Sequence, residues 1–457
     1  MNNSILSTKD NVSLLFETND DNDWKKSNKS LNNLLYNKTM RTDVYNSLKT
    51  SLFVNKENNV TDNNYVAINS SDNKTMRTDV YNSLKTSLFV NKENNVTDNN
   101  YVAINSSDFQ KTIKKRAIQS RKSHKWNFPI KYQINNNILR GAVASGLNFI
   151  MKETCIKFEE VDRVVGNGLI YQYGTVCASI VGRNPSGRPQ EIYLSSNCIN
   201  GPSVQHETFH ALGLEHEMSR KDRDNYIKIL RRNLHPSGYI NFISEPFTKT
   251  YNLRYDYGSI MHYDRLSYGN GRALTIIPTN YHYLKTIGQN SEASFNDIKL
   301  LNLHYCNNSC FKKLNCLNYG YTHPKNCDEC KCPTMYAGKF CQKIKRSSYN
   351  CPKQTLYAES WGQQLIVQGR KNCYFQILAQ DDFRIKIHIE SYNLHFQNVC
   401  QPNMGLEIKF LKDKSVSGVR FCEKGRNKII TSEKQLTLIQ YVGYAPYHYV
   451  KIRYIQI

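Results

Sequence analysis

Fourteen cysteines constrain the folding of this 457-residue chain more than any other feature of its sequence. All of them lie between Cys155 and Cys422. An even number of cysteines, concentrated in one part of a chain, is typical of disulfide-bonded domains that fold in an oxidising compartment. No apolar run approaches the roughly 18 residues that a membrane-spanning helix needs. The sequence therefore predicts a secreted protein of roughly two to four domains, cross-linked over its C-terminal part.

Residues 1–116 form a leader of different composition, rich in Asn, Ser, Asp and Lys, with little apolar periodicity. Such a composition predicts a largely disordered segment. Residues 37–72 recur unchanged as residues 73–108, and two identical copies favour a recent duplication or an assembly error over a stacked repeat. The first residues lack the basic and apolar regions of a signal peptide, which conflicts with the cysteines. We give the cysteines more weight and expect an incomplete or misjoined N-terminus.

The basic run Lys114-Lys115-Arg116 stands immediately before the first segment with regular apolar spacing. Because proteases cut exposed polar linkers, this position predicts a maturation cleavage between Arg116 and Ala117. A solvated cluster of charges is the alternative. Beyond it, alternation over residues 130–134 predicts a strand, and apolar spacing over residues 137–153 predicts a helix.

The string His206-Glu207-Thr208-Phe209-His210 carries the most specific chemistry of the chain. Two histidines four residues apart on a helix project from one face, so both imidazoles can reach one metal ion. Gly213 permits the positive φ that ends a helix, and the turn can return His216 as a third nitrogen ligand. Three protein ligands and a water form the catalytic arrangement for zinc. A chance spacing on a surface helix is the alternative.

Two strings, HETFHALGLEHEMSRKDRDNY (residues 206–226) and SIMHY (259–263), resemble the astacin family of metzincin zinc endopeptidases. The resemblance covers about residues 117–306 and implies an α+β fold with a mixed sheet and an active-site helix. It implies one zinc ion with His206, His210 and His216 as ligands and Glu207 as general base. Tyr263 corresponds to the family tyrosine that ligates zinc at rest and then hydrogen-bonds the developing oxyanion.

The same resemblance assigns supporting roles to two other residues. Met261 corresponds to the Met-turn residue, a hydrophobic floor under the metal. Glu217 corresponds to the family acid that receives the buried new N-terminus after activation, here Ala117. A salt bridge from Glu217 to Arg220 or Arg223 is an equally weighted alternative.

The chain departs from the family pattern at several positions. Lys221 stands where the family usually has Pro, and Leu214 where it usually has Phe; neither position has a catalytic role. Residues 1–116 contain no F-x-G-D string, with which family propeptides often silence the zinc. The family pattern also implies the disulfides Cys155–Cys306 and Cys177–Cys198.

Six cysteines follow the predicted protease domain, and the spacing of the last three, with Gly338 between Cys332 and Cys341, resembles an EGF-like module over residues 307–342. Six cysteines allow 15 pairings. The usual EGF order implies Cys310–Cys327, Cys316–Cys330 and Cys332–Cys341. A cysteine-rich zinc knuckle is the competing interpretation, disfavoured by an extracellular context. Asn307, in Asn307-Asn308-Ser309, is a candidate glycosylation site.

Residues 351–457 mostly alternate polar and apolar residues, as in Arg384–Ile389, which predicts a β-sandwich within residues 343–457. The matched spacing of the last four cysteines resembles a CUB domain, which implies the pairs Cys351–Cys373 and Cys400–Cys422. Many CUB domains bind calcium through acidic residues. Here Gly405 stands where an Asp is often found, so we do not expect a Ca2+ site, although Asp381 and Asp382 are nearby in sequence.

Positive charge is concentrated in the C-terminal third, where residues 307–457 carry 23 Lys and Arg against 10 Asp and Glu, out of a total formal charge of +23. No nucleic-acid-binding motif accompanies these residues, which are scattered along predicted strands and loops. We expect sulfated glycans or acidic matrix as partners, besides the protein substrates. A merely solvated surface, or a codon bias towards Lys and Asn, is the alternative.

The sequence as a whole predicts a secreted zinc metalloendopeptidase that hydrolyses extracellular proteins and is made as a zymogen, with EGF-like and CUB modules for targeting. This domain order resembles the nematode astacins. The alternative is a catalytically inactive adhesion or matrix-binding protein.

Overall fold

The computed structural model describes residues 118–119, 121–245 and 248–457. The leader, its duplication and the expected cleavage site at Arg116 and Ala117 lie outside the described residues. All described residues belong to one compact unit. Among them, no helix is both long enough and apolar enough to cross a membrane.

A five-stranded mixed sheet and two packed helices form the first half of an α+β domain, residues 118–306. The strands of this half are β1 (Ile118–Gln119), β2 (Ile130–Ile134), β3 (Phe158–Glu160), β4 (Leu169–Tyr173), β5 (Ala178–Ser179) and β6 (Gln190–Leu194). Their order in the sheet is β3-β2-β4-β6-β5, and β5 alone runs antiparallel to its neighbour. The expected mixed sheet is therefore present, with β1 outside it.

Helix α1 (Arg140–Glu153) covers this sheet because it has an apolar stripe. Val143, Leu147 and Ile150 are fully buried at helical spacing and share one core with Leu169 and Ile192 of the sheet. The predicted helix over residues 137–153 is thus an α-helix preceded by a 3-10 turn over residues 137–139.

Helix α2 (Gly201–Ala211) packs against α1 at close range. Asn200 caps it, since its side chain accepts a hydrogen bond from the amide of Ser203. A Cβ at Gly146 of α1 would lie only 2.6 Å from the Val204 side chain of α2. Glycine at this position therefore permits the close approach of the two helices.

The second half of the α+β domain has few regular elements. They are β7 (Ile227–Ile229), β8 (Thr248–Lys249), β9 (Ile276–Pro278) and the helix α3 (Phe295–Tyr305). β7 pairs with β9, and β8 pairs with β1 at the start of the domain. The Cys155–Cys306 disulfide joins the end of α3 to the residues that follow α1.

A small cystine-rich segment follows, with two short hairpins made from β10 (Tyr321–Thr322), β11 (Cys330–Lys331), β12 (Tyr336–Ala337) and β13 (Lys343–Ile344). Its three disulfides join the pairs implied by the EGF-like order. With so little regular structure, these bridges provide much of what holds the segment together.

The C-terminal β-sandwich, residues 351–457, consists of two antiparallel-rich sheets. Its strands are β14 (Thr355–Tyr357), β15 (Gln363–Gln368), β16 (Asn372–Leu378), β17 (Ile385–Asn393), β18 (Gly405–Lys409), β19 (Val419–Phe421), β20 (Lys424–Thr431), β21 (Leu436–Val442) and β22 (Tyr449–Gln456). One sheet has the order β14-β16-β21-β18-β19 and the other β15-β22-β17-β20. Ile385, Ile387 and Ile389 are fully buried between them, as the alternation predicts.

One apolar core continues from the β-sandwich into the α+β domain. It contains Tyr255, Tyr257 and Tyr283 of the α+β domain together with Phe410 and Phe421 of the sandwich. The sequence analysis treated the two as separate modules and did not predict this contact.

Candidate active site

Helix α2 presents two histidines from one face. The imidazoles of His206 and His210 lie with their ring centroids 4.8 Å apart, as the i, i+4 spacing predicts. The Nδ1 atom of His206 lies 2.9 Å from the carbonyl oxygen of Ile260, and that of His210 lies 2.7 Å from the carbonyl oxygen of Leu214. Each Nδ1–H donates to a backbone carbonyl, so each Nε2 lone pair is left for a ligand.

The turn at Gly213 brings the third histidine to the other two. Gly213 has φ +101°, and the amide of Leu214 donates to the carbonyl of Phe209, which closes the helix end. The Nε2 atoms of His210 and His216 lie 3.1 Å apart. One ligand atom from each of the three histidines lies within 4.8 Å of the others.

This donor set fits zinc. Three imidazole nitrogens around one point, with the Nδ1 atoms of two of them held by backbone oxygens, leave a fourth coordination position open, as in catalytic rather than structural zinc sites. Among the residues that the structure describes, this is the one group of three His, Cys, Asp or Glu side chains that converges in this way.

Burial keeps the three imidazoles in the neutral form that binds metal. It lowers the pKa of His206 below its usual value and, with repulsion from His206, lowers the pKa of His210 to about 3. The pKa of His216 is lowered well below its usual value by burial and by the other histidines. Protons therefore compete little with zinc at neutral pH.

Glu207 and Tyr263 border the histidine cluster. Glu207 occupies the helix position after His206 and is 6% exposed. The Tyr263 ring lies 4.4 Å from that of His216, centroid to centroid, and the rings of Phe242 and Tyr268 pack against it. The structure thus brings together the candidate base, the candidate oxyanion donor and the three candidate ligands.

The Met-turn, which contains Met261, is linked to the histidine cluster by a hydrogen bond. Met261 is 1% exposed, and its carbonyl accepts a hydrogen bond from the amide of Glu217, 2.9 Å away. The preceding residue, Ile260, is the one whose carbonyl holds His206. A shift of this turn would therefore displace a zinc ligand.

A buried carboxylate that the sequence analysis did not identify holds this turn. Asp297 of α3 accepts hydrogen bonds from the Ser259 hydroxyl at 2.6 Å and from the Ile260 amide at 3.0 Å. It also caps α3 by accepting from the amide of Ser294. Burial, more than any other cause, raises its pKa to about 6. The capping pattern Ser294-x-x-Asp297 was visible in the sequence, but its link to the Met-turn, 37 residues away, was not.

Glu217 is buried in a polar network. Its carboxylate lies 2.9 Å from the Arg220 guanidinium and accepts a hydrogen bond from the Asp256 amide at 2.8 Å. Burial raises its pKa to about 7, against the effect of Arg220. Of the two salt bridges considered from the sequence, the structure has the one to Arg220, while the Arg223 guanidinium donates to the carbonyls of Met218 and Phe242.

Comparison with known proteins places this site in a family. The sequence model of the Astacin peptidase family matches residues 118–306. Zinc metalloproteinase nas-34 of Caenorhabditis elegans is 32% identical over 337 residues, which cover 72% of this chain and 55% of that protein. Zinc metalloproteinase dpy-31 of Brugia malayi is 35% identical over 292 residues, which cover 60% of this chain and 48% of that protein.

Among solved structures, high choriolytic enzyme 1, a hatching enzyme zinc-protease from the medaka fish Oryzias latipes, is 29% identical, with a TM-score of 0.39, over 41% of this chain and 98% of that one. The chain spans about half the length of the two curated relatives. The family match contains the whole histidine cluster together with Glu207 and the Met-turn. Residues 118–306 therefore form a domain of the astacin family of zinc metallopeptidases.

Proposed function

We propose that this protein is a secreted zinc endopeptidase that cleaves peptide bonds of extracellular proteins. One observation carries the proposal: three imidazoles, that of His210 buried and those of His206 and His216 half-buried, converge at one point, with Glu207 at the helix position after His206. An inactive adhesion protein has no need of this complete set. Zinc, when held by His206, His210 and His216, supplies Lewis acidity that polarises a peptide carbonyl and makes a water molecule acidic at neutral pH.

Glu207 and Tyr263 carry the proton and charge movements of the reaction. The Glu207 carboxylate accepts a proton from the attacking water and returns it to the leaving amine, as a general base and then a general acid. The Tyr263 hydroxyl donates a hydrogen bond to the oxyanion that develops on the scissile carbonyl. The contacts of its ring with those of His216 and Phe242 support this role, because they restrict the movement of the side chain.

Cleavage of casein by protein that begins at Ala117 tests the proposal. We expect cleavage that a chelator abolishes and that added zinc restores. Zinc bound in a one-to-one ratio without any cleavage of casein or gelatin would favour the inactive adhesion protein instead.

Zymogen activation by a cut between Arg116 and Ala117 is part of the proposal. Ile118, the first described residue, is fully buried, and β1 pairs with β8. The amide of Gln119 donates to the carbonyl of Gly213, in the turn before His216. A cut at this point would release a new N-terminus two residues before Gln119, whose amide contacts the turn that places His216. N-terminal sequencing of the secreted protein tests it, with Ala117 as the expected first residue.

The targeting modules form the remainder of the proposal, with an EGF-like module at 307–342 and a CUB domain at 343–457. The disulfide pairs and the two-sheet sandwich support these assignments. Gly405 supports the absence of a calcium ligand at its position, because it has φ +63° and a Cβ there would lie 2.2 Å from the carbonyl oxygen of Phe421. An Asp could not be accommodated without moving this backbone.

Sulfated glycans or acidic matrix are the proposed partners of the C-terminal sandwich. The outer surface of its four-stranded sheet carries five basic side chains, which we call the basic face: Lys386, Lys424, Arg426, Lys451 and Arg453. Glu390 is the acid on this surface and pairs with Lys451 and Arg453. Four of the five basic side chains are exposed, so the face has an excess of positive charge available to a polyanion.

A further inference from the structure

The loop between β18 and β19 of the C-terminal sandwich lies against the segment that leads into the Met-turn. Asp256 is 2% exposed, and its Oδ1 atom accepts one hydrogen bond from the Gly258 amide at 3.1 Å and another from the Ser417 amide at 3.0 Å. One carboxylate oxygen therefore joins the α+β domain to the sandwich in the interior of the molecule.

Arg420 extends this contact. Its amide donates to the hydroxyl of Thr286 in the α+β domain, 3.0 Å away. Its guanidinium lies 2.9 Å from Glu407 within the sandwich, and both side chains are less than a tenth exposed. Because a buried ion pair needs a fixed geometry to offset the loss of hydration, the backbone at Arg420 has little freedom to move away from Thr286.

The fit at Gly258 shows how closely the two parts meet. A Cβ on Gly258 would lie 2.4 Å from the Cβ and Oγ atoms of Ser417 and 3.3 Å from Nη2 of Arg420. All three of these nearest atoms belong to the sandwich. Gly258 does not have the positive φ that would itself require glycine. The absence of a side chain at Gly258 therefore serves the contact with the sandwich and not a local turn.

The segment that contains Asp256 and Gly258 is connected to the active site by short hydrogen bonds. The Asp256 amide donates to Glu217 at 2.8 Å, and the Asp256 carbonyl accepts from the Ser259 amide at 3.0 Å. The Tyr255 hydroxyl lies 2.8 Å from Nε2 of His262. The Met-turn and Tyr263 thus follow within a few residues of the contact.

Further contacts flank this buried centre. Arg254 makes a two-pronged ion pair with Glu433 at 2.8 and 2.6 Å, and Lys285 pairs with Glu423 at 2.5 Å. The rings of Tyr283 and Phe410 lie 6.0 Å apart in the shared core. A polar centre, ion pairs at its edge and a continuous apolar core are typical of a permanent interface rather than of a flexibly tethered module.

We propose that the C-terminal sandwich is a positioning element of the active site, and that it acts through Arg420 and through the backbone amide of Ser417, which a change of the Ser417 side chain leaves in place. The loop between β18 and β19 packs on Asp256 and Gly258 and so fixes the position of the segment that carries the Met-turn and Tyr263. Full turnover requires the sandwich in this position. This inference rests on the proposed peptidase function, but the contact between the sandwich and the segment around Asp256 can be measured without an activity assay.

Gly258→Ala in the full chain tests the proposal, because it places a methyl group against Ser417. Ser417→Gly removes both atoms that this methyl group would meet at 2.4 Å and leaves the terminal nitrogen of Arg420 at 3.3 Å as its nearest neighbour. The double variant should therefore restore the fit. Gly141→Ala is the matched control, since a Cβ there meets nothing within 4 Å.

Four measurements apply to each variant: the radius of gyration by small-angle X-ray scattering, amide exchange over residues 254–262, the visible spectrum of the Co2+-substituted protein, and kcat and KM on a peptide. For Gly258→Ala we expect a larger radius, faster exchange, an altered spectrum and a kcat lower by about tenfold or more with KM nearly unchanged. Ser417→Gly, Gly141→Ala and the double variant should resemble the parent protein.

Two results would overturn the proposal. One is a Gly258→Ala protein with a larger radius but an unchanged cobalt spectrum, and the other is unchanged amide exchange in that variant. If Gly258→Ala does not fold, Arg420→Gln takes its place in the same measurements. A parent protein that cleaves nothing would contradict the proposed peptidase function, while scattering, exchange and the cobalt spectrum would still decide whether the sandwich positions the site.

Discussion

Backbone carbonyls, rather than carboxylates, orient the imidazoles of His206 and His210. A carbonyl accepts a hydrogen bond from Nδ1–H but carries no charge, so it fixes the tautomer without drawing a proton to the ring. The carbonyl of Leu214 is supplied by the turn that follows α2, and that of Ile260 by the Met-turn. Each ligand is therefore only as well placed as the loop that holds it.

Glu207→Gln should remove nearly all proteolytic activity while zinc binding is retained. The amide has the size of the carboxylate but cannot accept a proton, and loss of a positioned general base lowers kcat by about 10²- to 10⁴-fold. Glu159→Gln, at an exposed position of β3, is the control and should have the activity of the parent. Zinc content by mass spectrometry and kcat on a peptide check both variants. A Glu207→Gln protein of normal activity would contradict the assigned role.

The histidine cluster and Glu207 could be predicted because these residues are local in sequence. His206, Glu207, His210 and His216 lie within eleven consecutive residues, and the helix period with one glycine turn places them. Asp297 could not be predicted in its role, because its contacts with Ser259 and Ile260 depend on where α3 packs. Short-range geometry follows from the sequence pattern, whereas supporting contacts follow from the tertiary structure.

At the level of elements, the turn after α2 depends on a backbone conformation that favours glycine. Gly213→Ala forces a Cβ into a residue with φ +101°, which costs about 1–3 kcal/mol and shifts His216. We expect a lower melting temperature together with weaker zinc binding and lower activity. Gly187→Ala is the matched control, because Gly187 has φ +77° with nothing within 4 Å of its Cβ and lies between β5 and β6. It should lose stability and keep its zinc affinity, as measured by competition with a chelating dye.

The contact between α3 and the Met-turn likewise depends on one residue, Asp297. Asp297→Asn retains the size of the side chain but offers one acceptor where three donors converge, which costs about 1–3 kcal/mol. Because the Ile260 carbonyl holds His206, we also expect a lower kcat. Ser294→Ala removes the cap of α3 and leaves the Met-turn bonds in place. It should cost about 1 kcal/mol with kcat unchanged. Equal loss of kcat in the two variants would mean that only the stability of α3 matters.

Strand alternation predicted the sandwich, but it gave no information on where the sandwich lies relative to the α+β domain. The buried isoleucines of β17 follow the period of two. A shift of one residue against β20 or β22 would turn these isoleucines towards solvent, so their burial fixes the register of the strand. The contact between Asp256 and Ser417 has no such signal. Both residues are polar and could equally have been surface loop residues.

For the whole molecule, seven disulfides divide the described chain into three cross-linked regions. They join the pairs that the family patterns imply, with two bridges in the α+β domain, three in the cystine-rich segment and two in the sandwich. No bridge joins one region to another among the described residues. The contact between sandwich and α+β domain is therefore noncovalent, and it depends on the buried polar centre and the shared core.

The excess charge of the molecule is predicted to act through the basic face. We expect the full chain to bind heparin at low salt and to be released as ionic strength rises, because salt screens exposed charges. The triple variant Lys386→Gln, Lys424→Gln, Arg426→Gln removes three exposed members of the face. Each exposed ion pair contributes about 0.2–1 kcal/mol, so roughly tenfold weaker binding is expected.

Lys131, Lys157 and Lys228 provide the matched control, because they are exposed on the α+β domain and their change to Gln removes the same total charge. Elution from a heparin column in a salt gradient compares the two triple variants with the parent. Earlier elution of the basic-face variant alone supports a specific surface, since charge at a fixed location acts more strongly than net charge when a polyanion lies along it. Equal shifts of both variants would mean that net charge alone governs retention, and an absence of retention of the parent at low salt would reject glycan binding.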